Sequence, residues 1–460
     1  MRVEMRANNK RVRRGVIIAA LLCATASAQT PPSIKSAAYL RPFFEKLAKL
    51  EDSKAGKVNI VHIGDSHIQA DYFTDAVRAP LQQRFGDGGR GFIFPYSRNT
   101  ATVRPYRFAT NADWRICRNN QPARCEPGTD FGLSGYGFGT KSEPFALSVE
   151  ATEERYNFNT IKVVSATVSS YKLAMVDEDR EPIKYNEKHS IVLHRVKKDE
   201  TLDSIARYYN TFVTDIMKEN KLKSDNVQAG RNLRIPVTTT ESGVEISMFR
   251  PVKYKLQEPF ILSYHQDDPI SAIYILNTRK QNLFCINGLI VENDAPGVIY
   301  HNIGTVGAMA AHFNVTPLFF QQLPVLRPDL VVVSFGTNES YGEFSDDVFM
   351  GSLEQLIDNI KMYCRDVPIL VTTPPFSLLR NKRWNTYIVD YAEALSRKVG
   401  IAVWDLYAFT DGLIGVNDNF SALRINRDNI HYTPEGYVLQ GTAFANALLD
   451  AYNNYKRGGR

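Results

Sequence analysis

The chain reads VNIVHIGDSH at residues 58–67. The first six residues of this stretch are mostly apolar and predict a buried strand, and Ser66 follows at the end of that strand. Far downstream the chain reads DNIH at residues 428–431, which places Asp428 three residues before His431. A serine hydroxyl is a poor nucleophile at neutral pH unless a histidine removes its proton, and a carboxylate holds that histidine in the required tautomer. Together the two segments predict the Ser–His–Asp triad of a serine esterase.

The second half of the chain alternates between apolar runs and helical patterns. Strands are predicted at residues 330–335, 368–373 and 401–406, and helices at residues 347–364, 384–399 and 434–455. Continuous apolar strands such as residues 330–333 are typical of a parallel sheet that is covered on both faces. We therefore predict a flavodoxin-like α/β domain, a parallel sheet with helices on both faces, built from residues 35–140 and 293–456.

A helical pattern follows the first strand, at residues 68–85. Its apolar positions recur every four residues and share one side of the helix: Phe73, Val77, Leu81 and Phe85. Pro80 is predicted to kink or restart this helix midway, because proline lacks the backbone N–H that an interior helical position donates.

Residues 141–292 contain many short runs of β-branched and aromatic residues without long helices. This spacing predicts a β-sandwich inserted between the two parts of the α/β domain. The inserted domain is itself interrupted at residues 192–237, where two short amphipathic helical patterns stand between two strands.

This interruption resembles a LysM module. The residues that match the family in order and spacing are His194-Arg195-Val196, Thr201-Leu202, Ile205-Ala206, Ile216, Asn220, Leu222, Gly230 and Leu233-Arg234-Ile235-Pro236. The segment departs from the family at Asp199-Glu200, where Gly-Asp is usual, and this departure affects one turn. The resemblance implies binding to polymers that contain N-acetylglucosamine, chiefly peptidoglycan and chitin. A small insertion of purely structural use is the alternative.

The first 28 residues have the order of a secretory signal peptide. Six basic residues precede the apolar stretch Val16 to Cys23, and Ala26-Ser27-Ala28 follows it. The apolar stretch is too short to span a bilayer, so we expect no integral membrane segment in the mature chain. Export is therefore predicted, most simply to the periplasm, with the cell surface or the medium as alternatives.

The formal charge of +6 comes mainly from this leader. Without residues 1–28 the chain loses six basic residues and one acidic residue, from totals of 55 and 49, and its charge falls to about +1. A nearly neutral chain has no electrostatic case for binding nucleic acid. No Cys/His cluster has the spacing of metal ligands, so neither a metal nor another cofactor is expected.

Two of the cysteines outside the leader flank a short polar loop. Cys117 and Cys125 enclose residues 118–124, a segment that contains a proline. In an oxidising compartment this arrangement predicts a local disulfide.

Two further segments supply candidate oxyanion donors. Asn338 follows the apolar strand at residues 330–335, and the segment 302–308 contains two glycines, Gly304 and Gly307, whose backbone N–H groups can serve an anion. With these segments the chain resembles the SGNH (GDSL) hydrolases, whose four sequence blocks follow in the same order. The resemblance makes Ser66 the nucleophile, His431 the general base and Asp428 its orienting partner. It assigns the oxyanion hole to the Ser66 N–H, the Gly307 N–H and the Asn338 side chain. Gly304 competes with Gly307, which is preferred because it lies five residues after Asn302, as in the family.

The surroundings of the nucleophile are similar to those of the bacterial peptidoglycan O-acetylesterases within that family. The matching residues are Asp71-Tyr72-Phe73-Thr74, Arg84-Phe85-Gly86, Gly88-Gly89-Arg90-Gly91-Phe92 and Gly336-Thr337-Asn338-Glu339. The resemblance implies an esterase that removes O-acetyl groups from peptidoglycan. An acetylesterase for another polysaccharide and an inert cell-wall-binding protein are the alternatives. Four aromatic residues are unranked candidates for stacking on sugar rings: Tyr96, Trp114, Tyr136 and Trp384.

Overall fold

The computed structural model describes residues 31–95, 105–166, 171–177, 181–198, 200–209, 211–222, 224–257, 261–278, 283–379, 382–414 and 424–458. The predicted signal peptide and Tyr96 lie outside these ranges. None of the helices within them is both long and apolar enough to cross a membrane.

The N-terminal segment begins the α/β domain with one strand and three helices. These are α1 (Arg41–Ser53), β1 (Lys57–Gly64), α2 (Ser66–Gln69) and α3 (Tyr72–Phe85). The predicted helix at residues 68–85 is thus two helices, separated at Asp71, whose φ of 61° is left-handed. The helix continues through Pro80, so it does not restart at that proline. The four apolar positions of the pattern are all buried, and their packing holds α3 in place despite the missing N–H.

A second segment is rich in strands. Its elements in chain order are β2 (Gly91–Ile93), β3 (Tyr106–Thr110), β4 (Trp114–Arg118), β5 (Tyr136–Thr140), β6 (Phe145–Ala151), β7 (Phe158–Val164), β8 (Lys172–Met175), β9 (Ile183–Arg195), α4 (Leu202–Tyr209), α5 (Val213–Glu219), β10 (Asn232–Val244), β11 (Arg250–Pro251), β12 (Lys255–Gln257), β13 (Ile261–Ile270), β14 (Ala272–Asn277), β15 (Phe284–Ile286) and β16 (Gly288–Glu292).

The last segment returns to alternating strands and helices. Its elements are β17 (Gly297–Gly304), α6 (Ala310–Asn314), α7 (Pro317–Gln322), β18 (Leu330–Ser334), α8 (Thr337–Tyr341), α9 (Asp346–Tyr363), β19 (Ile369–Thr372), α10 (Thr386–Ser396), β20 (Ala402–Trp404), α11 (Leu406–Ile414) and α12 (Pro434–Arg457). The strand β17 was missed by the sequence analysis, which treated its end as a turn.

The first and last segments share one parallel sheet of order β17-β1-β18-β19-β20. This is the flavodoxin-like order, and the predicted fold class is confirmed. The central strand β1 pairs with β17 from Lys57 to Gly64 and with β18 from Ile60 to Gly64. The carboxyl ends of β17, β1 and β18 therefore meet at one edge of the sheet.

The strand-rich segment forms two five-stranded sheets, of order β11-β8-β14-β6-β3 and β12-β13-β7-β16-β2, and a three-stranded sheet of order β15-β5-β4. Inward residues of both larger sheets, such as Val149 and Val163, belong to one hydrophobic cluster, as in a sandwich. The inserted region begins earlier than the predicted residue 141, because β2 pairs with β16 and β3 pairs with β6. The strands β2 and β3 were not predicted from the sequence, because their cross-strand partners come from later in the chain.

The predicted LysM segment is carried on a two-stranded ribbon. Strands β9 and β10 pair antiparallel along their whole lengths, from the Ile183–Val244 pair to the Arg195–Asn232 pair. The helices α4 and α5 lie between the two strands in the sequence. The helices and the strand residues beside them form a small apolar core, whose buried residues are Val196, Leu202, Ile205, Ala206, Ile216, Leu233 and Ile235. The segment thus contains its own apolar core at the end of a hairpin.

Candidate active site

The predicted nucleophile lies where the central strand meets a helix. Ser66 is the first residue of α2, immediately after β1, and is partly exposed. Asp65 caps this helix, because its carboxylate accepts a hydrogen bond from the His67 N–H at 2.9 Å. The Ser66 Oγ lies 2.8 Å from the His431 Nε2, so the structure joins residues that are 365 positions apart.

His431 is held by a tight turn before helix α12. Its Nδ1 lies 2.7 Å from an Asp428 carboxylate oxygen, and the other oxygen accepts the N–H groups of Ile430 and His431, both at 2.9 Å. The left-handed Asn429, with φ of 61°, makes this turn possible. Partial burial would raise the pKa of Asp428, but these hydrogen bonds hold it below its ordinary value. The carboxylate therefore stays ionised and fixes the His431 ring with Nε2 toward Ser66.

A second histidine, His67, packs against the first. Its ring centre lies 5.3 Å from that of His431, and its Nδ1 lies 2.9 Å from the Tyr437 hydroxyl. Burial, helped by the nearby charge of His431, lowers the pKa of His67 to about 3. His67 is consequently neutral at physiological pH, and it places no competing cation beside His431.

The two glycines proposed as oxyanion donors have different surroundings. Gly304 is the last residue of β17, where it pairs with Gly64 and lies directly on the backbone of Gln69. Gly307 lies in the partly exposed loop after that strand, with a left-handed φ of 72°. Gly304 therefore serves the close packing of β17 on α2, and Gly307 is the glycine available to a ligand.

Replacing Gly304 with alanine is expected to destabilise the protein. The added Cβ would lie 2.1 Å from the Gln69 backbone N, so the main chain itself has to move. We expect a loss of about 3 kcal/mol in the free energy of unfolding, measured by urea denaturation. Gly351→Ala is the control: that exposed helical glycine has open space around it, and alanine should stabilise the helix by up to about 1 kcal/mol. Equal stability of the two variants would contradict this account.

Asn338 stands at the same edge, but both of its amide hydrogens have partners. Its Nδ2 donates to the second carboxylate oxygen of Asp65 at 3.1 Å and to the Ala308 carbonyl at 2.9 Å. The side chain thus contacts Asp65, the residue that precedes the predicted nucleophile. It can donate to an oxyanion only by exchanging one of these two bonds, and the longer bond to Asp65 is the one more readily released.

The carboxyl group of Asp65 is unusual because it is buried behind the nucleophile. Burial raises its pKa to about 7, although the His67 N–H and the charge of His431 act in the opposite direction. In the unfolded chain an aspartate titrates near its ordinary pKa of 3.8. Folding therefore favours the protonated form of this group.

This shift predicts a pH-dependent difference between the protein and its Asp65→Asn variant. Because the pKa of Asp65 is raised on folding, its contribution to stability is present in full below about pH 4 and is lost as the pH rises to about 7. The free energy of unfolding of the parent should therefore fall relative to the variant, by at most about 1.4 kcal/mol per pH unit over this window. Urea denaturation of both proteins between pH 4.5 and 8 measures it. Parallel stability curves would show that Asp65 titrates normally.

The structure separates the aromatic candidates for sugar stacking. Trp114 stacks on Phe138 at 4.4 Å within the inserted region, and Tyr136 is buried. Trp384 is 42% exposed and packs edge-on against Phe376 at 4.9 Å. Of these three rings, Trp384 is the most exposed to solvent.

The remaining predicted site residues are cysteines. Cys117 and Cys125 form a disulfide, with Cα atoms 5.7 Å apart. In the described part of the chain, no group of three or more His, Cys, Asp or Glu side chains is arranged to hold a metal ion.

Three residues contact the loop of Gly307 in a way that was not expected from the sequence: Arg118, Asn120 and Tyr136, the last of which was a candidate only for stacking on sugars. They contact the loop of Gly307 from the inserted region, about 170 to 190 positions away in the chain. Neither their types nor their spacing resembles a catalytic motif, so the sequence contains no signal for them.

A serine, histidine and aspartate in hydrogen-bonded order, at the carboxyl edge of a flavodoxin-like sheet, form the arrangement that is typical of SGNH-class esterases. Residues 290–439 match the GDSL-like Lipase/Acylhydrolase family, and residues 194–236 match the LysM domain. The chain thus combines a GDSL-type hydrolase domain with an inserted LysM module, as the sequence predicted.

A solved structure shares the fold over nearly the whole chain, and others match about a third of it. A peptidoglycan O-acetylesterase is similar with a TM-score of 0.59 at 16% identity, covering 90% of this chain and 96% of that one. The lipase/acylhydrolase from Enterococcus faecalis covers 33% of this chain and 76% of its own, with 21% identity and a TM-score of 0.26. A carbohydrate esterase family 3 protein from Talaromyces cellulolyticus covers 35% and 73%, with 16% identity and a TM-score of 0.26. Among curated protein sequences, none is significantly similar to this chain.

Proposed function

We propose that the protein is an exported serine esterase that removes O-acetyl groups from peptidoglycan through an acetyl-enzyme intermediate. The observation that carries the catalytic part is the hydrogen-bonded chain from the Ser66 Oγ through His431 to Asp428. The LysM module and the fold shared with a peptidoglycan O-acetylesterase support peptidoglycan as the substrate.

In the first half of the reaction, the Ser66 Oγ attacks the acetyl carbonyl carbon while His431 takes the hydroxyl proton. Asp428 remains ionised and stabilises the imidazolium that forms. The oxyanion of the tetrahedral intermediate accepts hydrogen bonds from the Ser66 and Gly307 N–H groups, and from Asn338 once one of its two bonds is exchanged. When the intermediate collapses, His431 returns the proton to the departing sugar oxygen. The acetyl group is left on Ser66.

In the second half, water replaces the sugar alcohol. His431 removes a proton from this water, which attacks the acetyl carbonyl, and the same oxyanion donors serve again. Collapse releases acetate and restores the Ser66 hydroxyl with the proton held by His431. The exposure of the pair, 38% for the His431 side chain and 47% for that of Asp428, leaves room for a polymer and for water.

Export is proposed from the leader-like residues 1–28, with the periplasm as the destination. The disulfide between Cys117 and Cys125 supports this proposal, because structural disulfides persist in oxidising compartments. Peptidoglycan is also found outside the inner membrane, where such an enzyme meets its substrate.

The triad assignment predicts the behaviour of three variants on a small soluble acetyl ester. Ser66→Ala and His431→Ala should each abolish measurable esterase activity, because they remove the nucleophile and the base. Asn338→Ala should lower kcat roughly a hundredfold to a thousandfold, the usual loss for one oxyanion donor. Thermal unfolding checks that each variant is folded. Near-normal turnover by Ser66→Ala would overturn the assignment.

The substrate is tested by acetate release from O-acetylated peptidoglycan and from acetylated xylan. We expect release from peptidoglycan, with Ser66→Ala as the negative control for both polymers. Preferential hydrolysis of xylan would favour an acetylesterase for another polysaccharide. Binding to peptidoglycan without any hydrolysis would favour an inert cell-wall protein.

The ribbon of β9 and β10 offers a defined way to remove the LysM module. Ser190 and Val237 are paired, so excising residues 191–236 and joining the ends with Asn-Gly makes a two-residue hairpin turn. Hydrolysis of the soluble ester should be unchanged, because the triad lies outside the deleted part. Activity on insoluble peptidoglycan should fall, since tethering raises the local substrate concentration. An unchanged ratio of the two activities would show that the module does not target the enzyme.

A further inference from the structure

We infer that Arg118 and Asn120, two side chains of the inserted β region, position the oxyanion-binding N–H of Gly307. This inference rests on the proposed function and assigns a catalytic contribution to a region outside the hydrolase domain. Both residues act through a peptide group and are positioning residues.

The contact is made on a single carbonyl oxygen. The Val306 carbonyl accepts hydrogen bonds from the Arg118 Nη1 at 3.3 Å and from the Asn120 Nδ2 at 3.2 Å. This carbonyl and the Gly307 N–H belong to the same planar trans peptide group, in which the C=O and N–H bonds point in opposite directions. Holding the oxygen on the side of the inserted region therefore directs the Gly307 N–H away from that region.

The peptide before it is held from the same region. The Val306 N–H donates to the Tyr136 hydroxyl oxygen at 3.0 Å, and the Thr305 hydroxyl donates to the Ser134 carbonyl at 3.0 Å. The peptide groups 305–306 and 306–307 are thus both held by residues of the inserted region. Gly307 itself has the left-handed φ of 72°. The Ala308 N–H donates to the Thr305 carbonyl at 3.0 Å and closes a turn around this peptide. Because glycine by itself leaves two orientations of the central peptide open, the side-chain bonds favour one of them.

The loop that carries both side chains is itself constrained. The disulfide between Cys117 and Cys125 encloses Arg118 and Asn120. Between them, Asn119 donates its N–H to the Gly135 carbonyl at 3.0 Å and its side-chain amide to the His312 carbonyl at 3.3 Å. The loop is therefore fixed to β5 on one side and to the hydrolase helix α6 on the other.

The arrangement has two consequences for an oxyanion. A donor that is already oriented needs no reorganisation when charge develops in the transition state. Hydrogen bonds to the Val306 carbonyl also polarise its peptide group, and the positive charge of Arg118 strengthens this polarisation. The Gly307 N–H becomes a better donor. The contact is close: a methyl group added at position 307 would lie 3.0 Å from the Asn120 Nδ2.

The test compares Arg118→Ala, Asn120→Ala and the double variant on a small soluble acetyl ester. Each single variant should lower kcat about fivefold to tenfold, the effect of one modest hydrogen bond, and the double variant about a hundredfold. KM should change little, because the bound ester gains the full interaction only in the transition state. Arg118→Lys, which keeps a charged donor, should recover part of the loss.

The matched control is Arg124→Ala. Arg124 lies in the same disulfide-closed loop but is exposed and donates to the Gln121 side chain. This variant should keep parental kcat. A second measurement is the affinity for a boronic acid, whose adduct with Ser66 places a negatively charged oxygen in the oxyanion hole. That affinity should fall in parallel with kcat, whereas general loosening of the fold would appear as a lower Tm in the test variants than in the parent and in Arg124→Ala.

The outcomes separate this inference from the proposed function. If the parent hydrolyses the ester, Ser66→Ala does not, and Arg118→Ala/Asn120→Ala keeps parental kcat and boronate affinity, the inference is wrong and the esterase stands. A loss confined to KM, or an equal loss in Arg124→Ala, also overturns it. If the parent hydrolyses no acetyl ester, the proposed function fails and the inference fails with it.

Discussion

The parallel pairing of β1 with β17 and β18 is the constraint on which the rest of the site depends. Backbone hydrogen bonds along all eight residues of β1 align the ends of the three strands. The residues that follow them are Ser66, the Gly307 loop and Asn338, so register alone brings the nucleophile and its candidate oxyanion donors to one edge. A slip of one strand by a single residue would turn these groups to other faces.

Burial behind the nucleophile sets the electrostatics of this edge. Asp65 and His67 flank Ser66, and burial shifts their pKa values in opposite senses, to about 7 and about 3. Both shifts favour the neutral form, as desolvation always does. Between about pH 3 and pH 7 both groups beside Ser66 are therefore mostly neutral, while the more exposed Asp428 keeps its charge. Asp428, the carboxylate that stays ionised, is also the one that orients His431.

The inserted region contacts the loop that contains Gly307 and also carries the LysM module. Its early strands β4 and β5 supply side chains that hold the Val306 peptide, and its later ribbon carries the LysM module. An insertion that contacts the oxyanion loop cannot be exchanged freely for another domain. This physical link gives a reason for the whole-chain similarity to a solved peptidoglycan O-acetylesterase, which extends well beyond the hydrolase domain.

Much of this protein is determined by its sequence. Apolar runs predicted the parallel sheet, a spaced set of residues identified the LysM module, and the triad residues were recognisable because nucleophile, base and orienting acid each occur in short motifs. Local patterns failed where partners are distant. β2 and β3 were not predicted as strands because their pairing strands come some 40 to 200 residues later. The helix α3 continues through Pro80 with its apolar side buried, which a local pattern does not show.

The tertiary structure decided which side chains act together. Gln69 packs closely against Gly304, so Gly307 is the glycine of the two that is accessible to a ligand. The Asn338 amide donates two hydrogen bonds, to Asp65 and to the Ala308 carbonyl. Arg118 and Asn120 donate to the Val306 carbonyl. All of these bonds join residues from separate segments of the chain. Hydrogen bonds depend on positions to within a fraction of an ångström, and a sequence pattern specifies residue order without specifying such distances.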